Sequence, residues 1–543
     1  MEKNIKFDIL SIVCIIVFCI SMSPVTLQND TFYTIKIGEY ILDNGITYMD
    51  PFSWHENLSY TFPHWLYDVM IYAIFNVGGY LGIYISTIAF ACILGIILYA
   101  TNVKLNKNRL LSFLMTIGVI YLLGDFIAAR AQLVTYILFT LTIYSIERFL
   151  STKKKRYPLY LIIISIMIAN LHVAVWPFYF VLYLPYIGEY IIACLQDSGK
   201  FIDKIKIRRY KNKLNKNIID EKTREEITNK VLELEVKISQ ADERKNKRNT
   251  KAYKVEIAKN NNVKWLILIM LICVLTGLLT PLKDAPYTYL FKTMQGNTTQ
   301  NINEHLPLVL IDNKEFLVFI VIFLIILMFT DTKIRLKDLF MIGGLLLLAF
   351  ISRRQTSMFI LLGSFTLVNL CARFINKYDP DGIKKVEEFM TTLLGKIIVI
   401  SIIVILSYSN IKPDLDDKFV NEKSYPVEAT KFIKENIDIQ QMRLFNEYNY
   451  GSYLLLHDIP VFIDSRADLY SPEFNKGTSV FSDFMNISGI SVYYEDKFES
   501  YGITHVIIKR NSKLNLLISR DDNYKELYKD DNFCVYERLN ATK

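Results

Sequence analysis

Apolar residues come in long unbroken runs, such as Phe7 to Leu27 and Phe316 to Thr330, and a helix needs roughly 20 of them to cross a hydrocarbon core. Runs at 7–27, 80–101, 109–125, 132–150, 157–170, 176–195, 265–281, 315–330, 338–351, 356–374 and 396–411 predict eleven membrane spans. The first follows Lys3 and Lys6 and shows no small-residue cleavage site before Asp30, so it reads as an uncleaved span with the N-terminus inside. Leu66 to Asn76 is apolar but short and carries Asp68, which suits a helix lying along the outer surface. The stretch 157–195 is long enough for two spans broken between Asn170 and Pro177, a proline suited to the first turn of a new helix.

Charge orients these spans. Lys104, Lys107 and Arg109, then Lys153 to Arg156, then Lys333, Arg335 and Lys337, then Arg373, Lys377, Lys384 and Lys385 fall in alternate connections, which are cytoplasmic by the positive-inside bias. The segment 200–264 holds 20 Lys+Arg against 10 Asp+Glu, so it too belongs inside, and an odd span count puts 412–543 outside. The whole chain, with 62 Lys+Arg and 54 Asp+Glu, carries +8, spread in a way that gives no reason to expect a nucleic-acid partner.

The fold class is therefore mainly α: a multi-pass helical bundle of about 11 transmembrane helices with a small C-terminal α/β extracytoplasmic domain. The membrane domain covers 1–411, with a long first outer loop at 28–79 and a basic cytoplasmic arm at 200–264. In the arm, Ile227, Val231, Leu234 and Ile238 form a coiled-coil-like stripe, which predicts a helical hairpin and leaves open a coiled-coil partner or contact with anionic headgroups. The outer domain, 412–543, alternates a helix near 426–436 with strands near 443–446, 461–464, 505–509 and 533–537. Six of the seven Cys lie in apolar runs, so no disulfide framework is expected. GxxxxGK[ST], HExxH and CxxC are all missing, which leaves P-loop hydrolysis, a zincin and a zinc knuckle without support.

With this topology all six His (55, 64, 172, 305, 457 and 505) fall on the outer side. Around them gather Asp30, Arg130, Asn170, Glu304 and the pair Arg353-Arg354, polar groups scattered in sequence but converging at one membrane level. Asp30 follows the first span directly, where a carboxylate can take a proton from an acceptor hydroxyl or help hold a divalent cation. Arg353 and Arg354 run against the charge bias, and planar guanidinium groups suit bidentate phosphate binding. The plainer readings are a helix-end acid and arginines snorkelling to headgroups. His64 and His172 could bond a phosphate or ligate a metal, although their spacing fits no compact metal motif. In the outer domain Asp464, Arg466 and Asp468 follow an expected strand with alternate side chains on one face, and Asn446 ends another. A salt-bridge network joining this domain to the membrane body is favoured there over a second active site.

The order of these motifs resembles the GT-C membrane glycosyltransferases. The nearest likeness is to a bacterial branch with a first-loop pattern like Asp30-Thr-Phe-Tyr, Gly38-Glu-Tyr-Ile, Gly45, Asp50-Pro-Phe-Ser-Trp and His64-Trp-Leu. Arg130-Ala-Gln-Leu, Asn170-Leu-His172, Glu304-His305, Arg353-Arg354, Tyr425-Pro-Val-Glu-Ala, Asn446 with Tyr450-Gly-Ser-Tyr-Leu, and Asp464-Ser-Arg-Ala-Asp-Leu-Tyr470 continue it over most of the chain except 200–264. The resemblance implies transfer of a sugar from a polyprenyl-phosphate donor to a glycan, lipid or protein acceptor at the outer face, with inversion. It assigns Asp30 as base or metal partner, and Arg353 and Arg354 to the donor phosphate. Many relatives have two adjacent acids where this chain has Asn29-Asp30, so the need for a divalent cation stays open. The competing class is a lipid-linked-glycan transporter or flippase, or an envelope-polymer scaffold. A transporter calls for Gly/Pro-broken spans repeated in two halves with polar groups at mid-membrane depth, whereas here the polar groups sit at the outer rim.

Overall fold

The computed structural model describes residues 2–215, 220–249, 253–295, 302–310, 313–411 and 418–539. The first span becomes α1 (Glu2–Met22), and the first outer loop is not a loop for most of its length. It holds α2 (Asn29–Asn44) and the opening of α3 (Trp65–Asn106). Gly79 interrupts α3 with φ 57° and ψ −150°, a conformation open to glycine and strained for any other residue. The chain there turns from the expected surface stretch into the next span. Gly38 sets a second constraint, because a Cβ on it would lie 2.1 Å from the Asp68 carbonyl oxygen. The helix that begins beside Asp30 is thereby packed backbone-close against α3.

Then follow α4 (Arg109–Leu122), α5 (Ala131–Thr152) and α6 (Arg156–Leu171). A short turn leads to α7 (Trp176–Val181), with Pro177 in its first turn, and to α8 (Leu184–Leu214). Beyond the arm come α9 (Glu221–Asn249), α10 (Val263–Leu275) and α11 (Ala285–Gln295), then helices Lys314–Phe329, Leu336–Ile351, Thr356–Tyr378 and Leu393–Ile411. Among the described residues six helical stretches are long and apolar enough to cross a membrane: Ile5–Met22, Trp65–Asn106, Ala131–Thr152, Val173–Leu214, Arg353–Tyr378 and Leu393–Ile411. Shorter apolar helices stand at Arg109–Leu122, Arg156–Leu171, Val263–Leu278 and Phe316–Phe329.

The arm differs from its expected boundary. Residue 200 lies inside α8, which runs from its apolar half straight into the basic segment. Ile227 and Val231 of α9 are buried, with Leu234 and Ile238 half-buried, and α8 supplies the buried Ile207. Lys211 meets Glu235 at 2.8 Å across the two helices, and Lys200 meets Asp242. The apolar stripe that a partner coil would take is thus used within the chain. The arm returns through β1 (Val255–Glu256), which pairs in parallel with β2 (Ile334–Arg335).

The C-terminal segment carries a four-stranded sheet in the order β3 (Leu444–Phe445), β4 (His505–Lys509), β6 (Phe533–Arg538), β5 (Tyr524–Lys529). The β3–β4 pair is parallel and the other two are antiparallel. The expected strand at 461–464 is not in this sheet. Val461 instead bridges to Ser53 of the first loop, and the Asn446 amide replaces a strand neighbour by accepting from Phe462 N at 2.8 Å and donating to Ile463 O at 2.7 Å. In sequence β5 is hard to see, because it is a mostly exposed edge of polar residues with no apolar run.

The C-terminal segment and the expected first loop share one core. Tyr33, Ile37, Ile41, Leu58, Tyr60 and Phe62 pack with Phe445, Phe462, Ile463 and Tyr470. Nearby, the Phe32 ring meets Tyr425 and Tyr453 edge-on at centroid distances of 4.8 and 5.2 Å.

Candidate functional site

Asp30 lies in the first turn of α2, where the helix dipole favours a carboxylate. Two contacts fix that turn: Asn29 Nδ2 donates to Tyr448 O at 3.0 Å, and Thr31 Oγ1 donates to Ala129 O at 3.3 Å. The second contact brings in Arg130, which opens α5 in extended backbone. Arg130 Nη2 reaches Asp30 Oδ2 at 2.6 Å, and its Nη1 stands 3.5 Å from Glu304 Oε1. Burial works against the Arg130 charge, but Asp30 and Glu304 outweigh it and hold its proton more tightly than usual. Asp30 and Arg130 remain about a quarter exposed, at 26 and 27%.

The arginine pair divides in two. Arg353 is built into the backbone of the facing segment: its N–H donates to Leu306 O at 2.9 Å and its Nε to Pro307 O at 3.2 Å. Ser352 Oγ completes the seam by donating to Glu304 O at 3.2 Å. Arg354, half-buried, forms no ion pair among the described residues. Its charge reaches His305 and Asp468. Gln28, Arg130, Gln132, Glu304, Arg353 and Arg354 line one cavity of about 240 Å³. Clefts that enclose drug-sized ligands run from about 300 to 1,000 Å³, so this one suits a head group rather than a whole lipid-linked sugar. Asp30 connects to its wall through Arg130.

His305 is held down at about 4, first by burial and then by the Arg354 charge, with Glu304 pulling the other way. An unfolded histidine titrates near 6.5, so the stability this residue lends is complete above about pH 6.5 and is lost as pH falls towards about 4. Residues 302–310 should therefore show smaller amide protection factors, relative to intrinsic exchange, at about pH 5 than at about pH 7. Equal protection at both would mean that His305 is not held neutral by this packing.

Two of the sequence candidates lie elsewhere. His64 Nδ1 bonds Asp68 Oδ1 at 2.9 Å and its Nε2 faces Tyr33 Oη at 3.3 Å, while His172 Nδ1 meets Thr135 Oγ1 at 2.9 Å. The two imidazoles are neighbours, with centroids 5.9 Å apart, but neither lines the cavity. Asn170 accepts from Trp65 Nε1 at 3.2 Å and donates to Leu279 O at 3.0 Å, a brace between α6 and its surroundings.

In the C-terminal segment Arg466 lies between two acids. Its Nη2 meets Asp464 Oδ2 at 2.6 Å and its Nη1 meets Asp50 Oδ1 of the first loop at 2.6 Å. All three side chains are buried, at 1, 0 and 0% exposure, and the guanidinium also stacks near Phe52 and Tyr60. Burial pushes Asp50 up, and Arg466 together with Ser53 overrides it, so the carboxyl sits below the usual range. Contrary to the expectation from its position after a strand, Asp468 does not share their face. A 3₁₀ turn at Ala467–Tyr470 breaks the alternation, and Asp468 Oδ2 accepts instead from Tyr289 at 2.8 Å and Thr293 at 3.1 Å. Burial raises its carboxyl. Gln132 is among the polar residues the sequence gathers with Arg130, but sequence reasoning missed Gln28 and Asp125 as cavity residues, since single polar residues near span ends carry no periodic signal.

The donor set does not fit a resident divalent cation. No group of three His, Cys, Asp or Glu converges among the described residues. Asp30 and Glu304 share Arg130, Asp125 also lines the cavity, and a +2 ion about 4 Å from the guanidinium would be repelled by roughly 8 kcal/mol at an effective dielectric near 20.

A helical body with apolar helices of membrane-crossing length is joined to a C-terminal α/β segment, and a charged cavity is lined by residues near its helix ends. The particular likeness is to the oligosaccharyltransferase AglB of Archaeoglobus fulgidus, in its apo form and in complex with an inhibitory peptide and a dolichol-phosphate. Each of these structures matches with a TM-score of 0.52 over 92% of this chain and 69% of that one, at 10% identity, which is a likeness of fold. No protein-family model and no curated protein matches the sequence.

Proposed function

We propose that the protein transfers a sugar from a polyprenyl-phosphate-linked donor to a glycan, lipid or protein acceptor at the outer face of the cell membrane. The observation that carries this reading is Arg354, a guanidinium without an ion-pair partner among the described residues, on the same small cavity as the Asp30-bound Arg130. Arg130, Arg353 and Arg354 outnumber the lining acids Asp125 and Glu304, so the wall is net positive and suits a phosphate. The shared fold adds support, since one AglB structure holds a dolichol-phosphate. The charges along the chain favour eleven crossings, with the N-terminus cytoplasmic and 412–543 outside.

In the step itself, the acceptor oxygen forms a bond to the anomeric carbon as the bond from that carbon to the phosphate oxygen breaks. The electron pair leaves with the polyprenyl phosphate, and the acceptor proton passes to Asp30. Arg354 faces the charge that develops on the departing phosphate. A single in-line displacement inverts the anomeric carbon. His305 and Asp468 shape the surroundings of Arg354, while His64, His172, Asn446, Asp464 and Arg466 hold the elements that carry the site.

Mass spectrometry of lipid-linked sugars and envelope glycans, with and without the protein, tests the reading at the level of the cell. In purified protein, Arg354→Ala should lower transfer by about 10²–10³-fold with the melting temperature unchanged. Arg353→Ala should act through the 302–307 segment and lower the melting temperature as well. Full transfer by the Arg354 variant would remove the phosphate role.

A further inference from the structure

We propose that Arg130 is the permanent cation of this site, fixed where a divalent metal ion would otherwise link Asp30 and Glu304. The proposal rests on the transfer reading only for its statement about activity. Three features of the chain carry it. The two terminal nitrogens of one guanidinium face two carboxylates that arrive from separate elements, α2 and the turn Asn303–His305. The backbone of Arg130 is located independently of those charges, by the start of α5 and by the Thr31 contact to Ala129, so the cation cannot easily drift from the slot. The position beside Asp30 is an amide, which adds no charge for a metal; its Nδ2 donates to Tyr448 O, and its Oδ1 is buried without a hydrogen-bond partner.

A guanidinium performs part of a metal's work. It stays charged at any working pH, keeps two acids together that would otherwise repel, and fixes one oxygen of Asp30. It has no lone pair to accept a proton, so the acceptor proton still goes to Asp30. It supplies no open coordination position, and transfer should be indifferent to chelators.

The test uses the full chain in lipid nanodiscs, with Mn²⁺ as the probe read by electron paramagnetic resonance. Wild-type protein should take up no Mn²⁺ at this site and should transfer sugar equally with and without EDTA. Arg130→Ala should open the slot and bind one equivalent of Mn²⁺, and adding Asp30→Asn should remove it. Transfer by Arg130→Ala should fall and be partly restored by free guanidinium ion, which a merely structural arginine would not allow. Stoichiometric Mn²⁺ binding by wild type that Asp30→Asn abolishes would overturn the proposal, as would loss of transfer in EDTA. An Arg130→Ala protein that folds but binds no Mn²⁺ would overturn it too. If that variant does not fold, Arg130→Lys and the wild-type titration decide. Should wild type transfer no sugar from any polyprenyl-phosphate donor, the functional reading falls while the Mn²⁺ titration still decides the role of Arg130.

Discussion

Asp30→Asn should abolish nearly all sugar transfer, by about 10²–10⁴-fold, while the protein folds and melts as wild type does. The amide has the size of the carboxylate and keeps an oxygen for Arg130 Nη2, and Glu304 still holds the other end of the guanidinium. What is lost is the ability to take a proton from the acceptor hydroxyl. The defect should therefore lie in kcat, with KM for the donor little changed, because the phosphate contacts are assigned to the other side of the cavity. Unchanged transfer would remove Asp30 from the chemistry, whatever the fate of Arg354. A rise in KM alone would make Asp30 a binding group.

The second large effect is on stability. Arg466→Met should destabilise the protein by about 3–5 kcal/mol, because it leaves Asp50 and Asp464 buried with no cation between them. The loss should appear as faster hydrogen exchange in both segments that the arginine joins, residues 50–62 and 461–470. Replacing all three together, with Asp50→Asn and Asp464→Asn added to Arg466→Met, should restore much of it, since no uncompensated charge remains. The wild-type network should also fail in acid. Asp50 titrates below its unfolded value, so its contribution is present above about pH 4 and disappears as pH falls through the folded value. An Arg466→Met protein as stable as wild type would show that the shared apolar core, and not this ion network, joins the two parts.

The helices were legible because a bilayer forces long apolar runs, and turns such as Asn170 to Pro177 declare themselves through proline. Of the polar residues that the sequence gathers, Asp30, Arg130 and Glu304 do meet. What the sequence concealed were partnerships between distant segments. Nothing local ties Arg130 to both Asp30 and Glu304, or separates a backbone-anchored Arg353 from an Arg354 without an ion pair. The 461–464 stretch looks like a strand because it is buried and apolar, yet its backbone bonds are made by a side-chain amide, which hydrophobic pattern cannot register. Asp468 was placed with Asp464 and Arg466 on the assumption of continued extension, and one short 3₁₀ turn reversed its direction.

The core shared by the first loop and the C-terminal sheet has a consequence for synthesis. Tyr33, Ile37, Tyr60 and Phe62 enter the membrane region early in translation, but the surfaces they pack against, Phe445, Phe462, Val506 and Tyr536, are among the later residues to emerge. Until then the helix that carries Asp30 lacks both its apolar cover and the Tyr448 carbonyl that holds Asn29. A ribosome-bound intermediate would have its spans in place and its site unassembled, so a truncated product could insert in the membrane without becoming active.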